Sequence, residues 1–91
     1  MDKSASTVIV EFYGLPRRQA GQSELTVAAG SVREVLQATV HACPNLAELF
    51  DGDHLARRYL VSLDGKRFIT NLNESLSAGT RLLILGADAG G

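Results

Sequence analysis

The sequence predicts an α+β fold, a mixed sheet with one main helix packed on one face, and three observations lead there. Two strand-like segments open the chain, Thr7 to Tyr13 and Ser23 to Ala28. One amphipathic helix follows, announced by Ser31 and Glu34 at capping-box spacing. Three more strand-like segments complete the order β-β-α-β-β-β.

Thr7 to Tyr13 is β-branched and aromatic, with Val8, Val10 and Phe12 on one face and Ile9 and Tyr13 on the other. Apolar residues on both faces predict a central strand covered on both sides. Gly14-Leu15-Pro16 breaks it, and Arg17 to Gln22 reads as a polar connection. Leu25 and Val27 then recur at period two, as in the return strand of a hairpin.

In the helix, Val32, Val35, Leu36, Val40 and Cys43 form one stripe at the 3.6-residue period. Pro44 ends it, because the residue before proline avoids the α region. Asn45 to Phe50 predicts another turn or two, capped by Asn45, with Leu46, Leu49 and Phe50 facing inward. Asp51-Gly52-Asp53 is a turn, and Tyr59 to Leu63 the third strand. Asp64-Gly65 has the composition of a type I′ hairpin turn leading into Lys66 to Ile69. Leu72 and Leu76 bracket a polar segment too short for a helix. The last strand, Arg81 to Leu85, is nearly all apolar and again predicts burial on both faces. If it pairs in parallel with the first strand, both become central. That arrangement is the β-grasp plan.

At 91 residues the chain makes one domain. Residues 1–6 read as a loose leader, 7–86 as the β-grasp domain and 87–91 as a flexible C-terminal tail. With 45% hydrophobic and 21% charged residues it is an ordinary globular composition. Nine basic and ten acidic residues give a net charge of −1, and Trp is absent. That argues against a nucleic-acid surface, which needs a basic stripe with interleaved aromatics. The short pairs Arg17-Arg18, Arg57-Arg58 and Lys66-Arg67 read as solvated surface, or as steering for an acidic partner. No signal-peptide pattern or membrane-length apolar run occurs, so no membrane role and a cytoplasmic location are expected.

Catalytic chemistry finds little support. Cys43 sits on the apolar stripe, where a thiol behaves as core, and His41 points to another face. His41 and His54 are isolated from other ligands, so no metal is expected. The glycines are dispersed rather than gathered in a phosphate-binding loop.

The end of the chain is different. Gly86-Ala87-Asp88-Ala89-Gly90-Gly91 follows an apolar strand, and six small residues, extended, reach roughly 20 Å. Gly90 and Gly91 lack Cβ atoms and can thread a narrow channel. Glycine makes up about 7% of ordinary sequence, so a final Gly-Gly arises by chance in roughly half a per cent of chains. The pair becomes informative through its place after a β-grasp pattern.

Taken together, Phe12-Tyr13-Gly14-Leu15-Pro16-Arg17, Ser31-Val32-Arg33-Glu34-Val35-Leu36, Pro44-Asn45-Leu46, Leu76-Ser77-Ala78-Gly79-Thr80 and the terminal Gly90-Gly91 resemble the MoaD/ThiS family of ubiquitin-like sulfur carriers. The resemblance implies that an E1-like adenylating enzyme uses ATP to activate the Gly91 carboxylate. A sulfur donor (a sulfurtransferase) then displaces AMP to leave a thiocarboxylate. Gly90 and Ala89 would thread the activating channel, and the carrier would hold no cofactor permanently and supply no catalytic residue. The length and first hairpin are similar to the small subunit of molybdopterin synthase, which implies a synthase large subunit as partner. Gly86-Ala87-Asp88-Ala89 departs from the Pro-rich stretch of those subunits, which keeps thiamine, cysteine or siderophore pathways open. A ubiquitin-like binding module or protein modifier without sulfur chemistry is the alternative.

Overall fold

The two most apolar segments of the chain lie side by side in the middle of one sheet. The computed structural model describes residues 6–87; Met1 to Ala5 of the expected leader and Asp88 to Gly91 of the expected tail lie outside the described residues. The strands are β1 (Thr7–Phe12), β2 (Glu24–Ala28), β3 (Phe50–Asp51), β4 (His54–Leu55), β5 (Tyr59–Leu63), β6 (Arg67–Phe68) and β7 (Arg81–Gly86). The helices are α1 (Leu15–Ala20) and α2 (Val32–Ala42), with a 3-10 helix at Pro44–Leu49.

Five strands form the main sheet in the order β2-β1-β7-β5-β6, and β3 and β4 pair as a small separate hairpin. β1 and β7 run parallel, with Val10 opposite Leu82 and Phe12 opposite Ile84. The other pairings are antiparallel. This is the mixed sheet and helix expected of a β-grasp fold. The parallel register places Val8, Val10, Phe12, Leu82 and Ile84 on one buried layer beneath Val32, Val35 and Leu36 of α2.

α2 starts as its sequence requires. The Ser31 side chain accepts from the Glu34 N–H at 3.1 Å, and the Glu34 carboxylate accepts from the Ser31 N–H at 2.9 Å. Two of the otherwise unpaired donors of the first turn are thereby satisfied. Thr39, buried within the helix, donates its hydroxyl to the Val35 carbonyl at 2.8 Å. Cys43 ends the stripe buried, with the Gln22 side-chain amide 3.5 Å from its sulfur.

Four expectations need correction. The stretch read as a polar connection holds a helix, α1. Pro16 suits a helix's first turn because it lacks only a donor that turn would leave unpaired. Gly21, at φ 74°, then closes the helix by donating to the Arg17 carbonyl at 3.0 Å. Second, β1 and β7 are central but covered on one face only: Ile9, Leu83 and Leu85 stay half-buried because, among the described residues, no layer packs over the outer face. Third, Asn45 does not cap the turn after α2. Cys43 occupies that position, while Leu46 and Leu49 are buried and Phe50, already in β3, packs partly buried against the core as expected. Fourth, the strand expected at Lys66 to Ile69 is shortened to Arg67 and Phe68, with Ile69 adding one bond as its N–H donates to the Val61 carbonyl at 2.8 Å. Asp64 and Gly65 do both take positive φ, 55° and 72°, as a type I′ turn requires.

Candidate functional site

The candidate site is the end of β7, from which the chain runs on to Gly91. β1 holds β7 as far as Ile84, and the β5 side holds it on to Ala87. Ile84 accepts from the Tyr13 N–H at 3.0 Å, and Gly86 pairs with Tyr59. Ala87 continues the ladder by one bond, donating to the Arg58 carbonyl at 2.7 Å. The root of the tail is therefore set by the sheet itself. Ala89, Gly90 and Gly91 lie outside the described residues.

Two elements frame this root. On one side α1 follows directly from β1 and packs against β7 and the 3-10 helix. On the other the chain enters β5 through Arg57 and Arg58. The Tyr59 hydroxyl, otherwise buried with its ring, ties the two sides together by donating to the Gln19 side chain at 2.9 Å. Beside Arg58 lies a shallow cleft lined by Glu48, Phe50, Asp51, Ala56, Arg57 and Arg58. Arg58 donates to Glu48 at 2.7 Å, and both side chains are largely in solvent.

The outer face of the sheet runs up to the same root. Leu60 stands opposite Leu85, Ser62 opposite Leu83 on one side and Phe68 on the other. Partners across a ladder project to one face, so Leu60, Leu83, Leu85 and Phe68 form an apolar strip interrupted by the buried Ser62. Phe68 is 61% exposed, and Tyr13 and Leu15 beside the root are 44% and 50% exposed. Tyr13 donates to Glu11 at 2.8 Å, and this hydrogen bond holds the phenol above the usual tyrosine range. Glu11 also forms an ion pair with Arg81.

A second cleft, of about 490 Å³, lies at the far side of β5, between Arg33, His54, Leu60, Phe68 and Asn71. Arg33 donates to the Asp53 carbonyl across its rim at 2.7 Å. His41 and His54 sit on separate elements. Among the described residues, no group of three or more His, Cys, Asp or Glu is placed to hold a metal ion. No helix among them is long and apolar enough to cross a membrane.

The sequence leaves the three basic pairs as solvated surface or as steering for an acidic partner, without placing them relative to one another. The fold separates them: Arg17-Arg18 on α1 and Arg57-Arg58 before β5 come to the tail root, while Lys66-Arg67 lies beyond the other end of β5. No spacing rule joins residues 40 positions apart; their meeting depends on the parallel pairing of β1 with β7.

No protein-family model matches the chain, and no curated protein matches its sequence. Solved structures do match. SAMP1 of Haloferax volcanii superposes with a TM-score of 0.81 at 24% identity, over 93% of this chain and 99% of that one. A molybdopterin converting factor subunit 1 from Pyrococcus furiosus, so described provisionally, gives a TM-score of 0.73 at 18% identity over 88% and 95%. A chain from the complex of subunits 1 and 2 of the molybdopterin-converting factor of Helicobacter pylori gives 0.65 at 24% identity over 93% and 99%. In fold, the chain is a ubiquitin-like β-grasp protein, as these structures are.

Proposed function

We propose that the protein is a sulfur carrier whose working group is the carboxylate of Gly91. The observation that carries this reading is the position of β7. A strand at the centre of the sheet is rigidly held, and it delivers the chain to solvent at Gly86 and Ala87, four residues before Gly91.

A carboxylate is a poor electrophile. Attack of its oxygen on the α-phosphate of ATP releases pyrophosphate and leaves an acyl adenylate with a good leaving group. The outer sulfur of a persulfide on the donor then displaces AMP to give an acyl disulfide. A thiol cleaves the S–S bond and is itself left as a disulfide, and the thiocarboxylate so released is a strong nucleophile for a synthase. The carrier contributes position: Ala89 and Gly90 pass through a narrow channel, and the fold remains outside. The acid, base and metal chemistry belong to the adenylating enzyme, and molybdopterin synthesis is the favoured destination. The likeness to converting-factor subunits supports this choice of pathway.

Incubation with ATP, the adenylating enzyme of the same organism and a sulfur donor is expected to replace one oxygen of the chain by sulfur, read by mass spectrometry. Deletion of Gly91 is expected to abolish uptake and leave the circular dichroism spectrum intact. Equal uptake by the deletion variant would sink the proposal.

The likeness to SAMP1 favours a second reading, a protein modifier joined through Gly91 to lysine amines. Isopeptide-linked adducts in cells, without a thiocarboxylate, would select it.

A further inference from the structure

We propose that Arg17, Arg18, Arg57 and Arg58 form a collar around the tail root that docks an acidic surface on the protein partner taking up the tail. The inference rests on the reading of the tail as the handled group, and it adds the chemistry by which the handler is recognised.

The collar is assembled by the fold. β1 runs parallel to β7 and ends beside Ile84, so the helix that follows it lies next to the last turn of the chain before the tail. Arg17 and Arg18 are exposed on that helix. Across β7, the Arg58 carbonyl holds the Ala87 N–H at 2.7 Å, which fixes Arg57 and Arg58 to the same end. Among the described residues, the exposed pairs Arg17-Arg18 on α1 and Arg57-Arg58 before β5 thus lie at the end of the sheet that carries the root, with Glu48 and Asp51 beside the second pair and Glu11 beside Tyr13. The whole chain carries a net charge of −1, so the positive end is a local separation of charge.

Among the described residues, Arg17, Arg18 and Arg57 form no ion pair. Arg58 pairs with Glu48 on the surface, where such a pair contributes little and can be exchanged for a partner carboxylate. Lys66-Arg67 makes the contrast. It lies at the opposite end of β5, and Arg67 is already paired with Glu74.

The occupant is a protein with clustered Asp and Glu. Guanidinium groups grip carboxylates through two parallel hydrogen bonds, which ammonium groups cannot do. Exposed Tyr13 and Leu15 adjoin the collar, and tyrosine and arginine are the residue types enriched in protein interfaces. A charged collar raises the encounter rate and orients the tail toward its entrance before any close contact forms.

Two measurements test this. In the first, amide and arginine side-chain resonances are followed while an octaglutamate peptide is added at low salt. Shifts are expected at Arg17, Arg18, Arg57 and Arg58 and not at Lys66 or Arg67. Shifts spread evenly over the surface, or tighter binding of a single-stranded oligonucleotide than of the peptide, would overturn the proposal. In the second, the double variants Arg17→Glu/Arg18→Glu and Arg57→Glu/Arg58→Glu are charged by the adenylating enzyme alongside Lys66→Glu/Arg67→Glu. Each collar variant is expected to lose about tenfold in kcat/KM at low salt, with kcat preserved and the loss shrinking as salt rises. Equal losses in all three variants, or none, would refute the collar. A wild-type chain that takes up no sulfur would instead defeat the sulfur-carrier reading, and the peptide titration would still decide the collar.

Discussion

Glu11 serves two neighbours at once on the outer face of β1, the Tyr13 hydroxyl and the Arg81 guanidinium. The hydrogen bond to Glu11 is the largest reason the Tyr13 phenol titrates above its ordinary value, with desolvation and the carboxylate's charge adding to it. Glu11→Gln is expected to lower the Tyr13 pKa toward the free value, followed through its ring resonances. Because the folded pKa is raised, the associated stability is complete below the unfolded tyrosine pKa and is lost only as pH climbs through the folded value. Neutral pH is unaffected. Glu74 behaves oppositely: hydrogen bonding to Arg67 lowers its pKa. Its contribution is present above the unfolded carboxylate pKa and disappears as pH falls through the folded one. Arg67→Ala is therefore expected to remove part of the acid-side loss of stability, measured as denaturation midpoint against pH. An unchanged profile would show the exposed pair to be idle.

Elements differ in how far their own residues specify them. The start of α2 is local: Ser31 and Glu34 satisfy each other's backbone N–H groups. Ser31→Ala is expected to cost about 1 kcal/mol in urea denaturation. Gly30 enters the same device from outside. A Cβ at Gly30 would stand 2.6 Å from the Glu34 carboxylate oxygen, the atom that accepts from Ser31. Gly30→Ala is expected to push that flexible side chain away and undo half of the box. In a Glu34→Ala background the same substitution should then cost almost nothing, and additive losses in the double variant would exclude this mechanism. α1 stands at the other extreme. Six residues are too few to hold a helix in water, so it exists because Pro16 is buried and because β7 and the 3-10 helix flank it. Its residues read as a loop for that reason.

For the molecule as a whole, the decisive contact is between the two ends of the chain. Val10 and Phe12 meet Leu82 and Ile84 across some 70 positions of sequence, in the layer that α2 covers. Removing residues 81–91 is expected to unfold the domain, since it takes out the middle strand and exposes β1 and β5. Removing only 88–91 is expected to leave the far-ultraviolet circular dichroism and thermal midpoint nearly unchanged, because the pairings that hold β7 in the sheet all lie within the described residues up to Ala87. A large loss of stability in the shorter truncation would mean that the tail packs on the fold, and would weaken its role as a handle. This topology also confines the outer face to partial burial: one helix layer can cover only one side of a five-stranded sheet.

What the sequence determined by itself was whatever neighbouring residues settle among themselves. The capping box at Ser31 and Glu34, the α2 stripe, the Asp64-Gly65 turn and the five-residue strand Tyr59–Leu63 are all of this kind. The parallel pairing of β1 with β7 was legible only as a condition of the β-grasp plan, since their apolar runs pointed to burial on two faces and the fold buries one. The tertiary structure decided what depends on distant partners. It made α1 a helix, left Ile9 and Leu85 half in solvent, shortened β6 and brought two arginine pairs to the tail root. Those outcomes rest on register and on which surfaces meet, and hydrophobic periodicity carries neither.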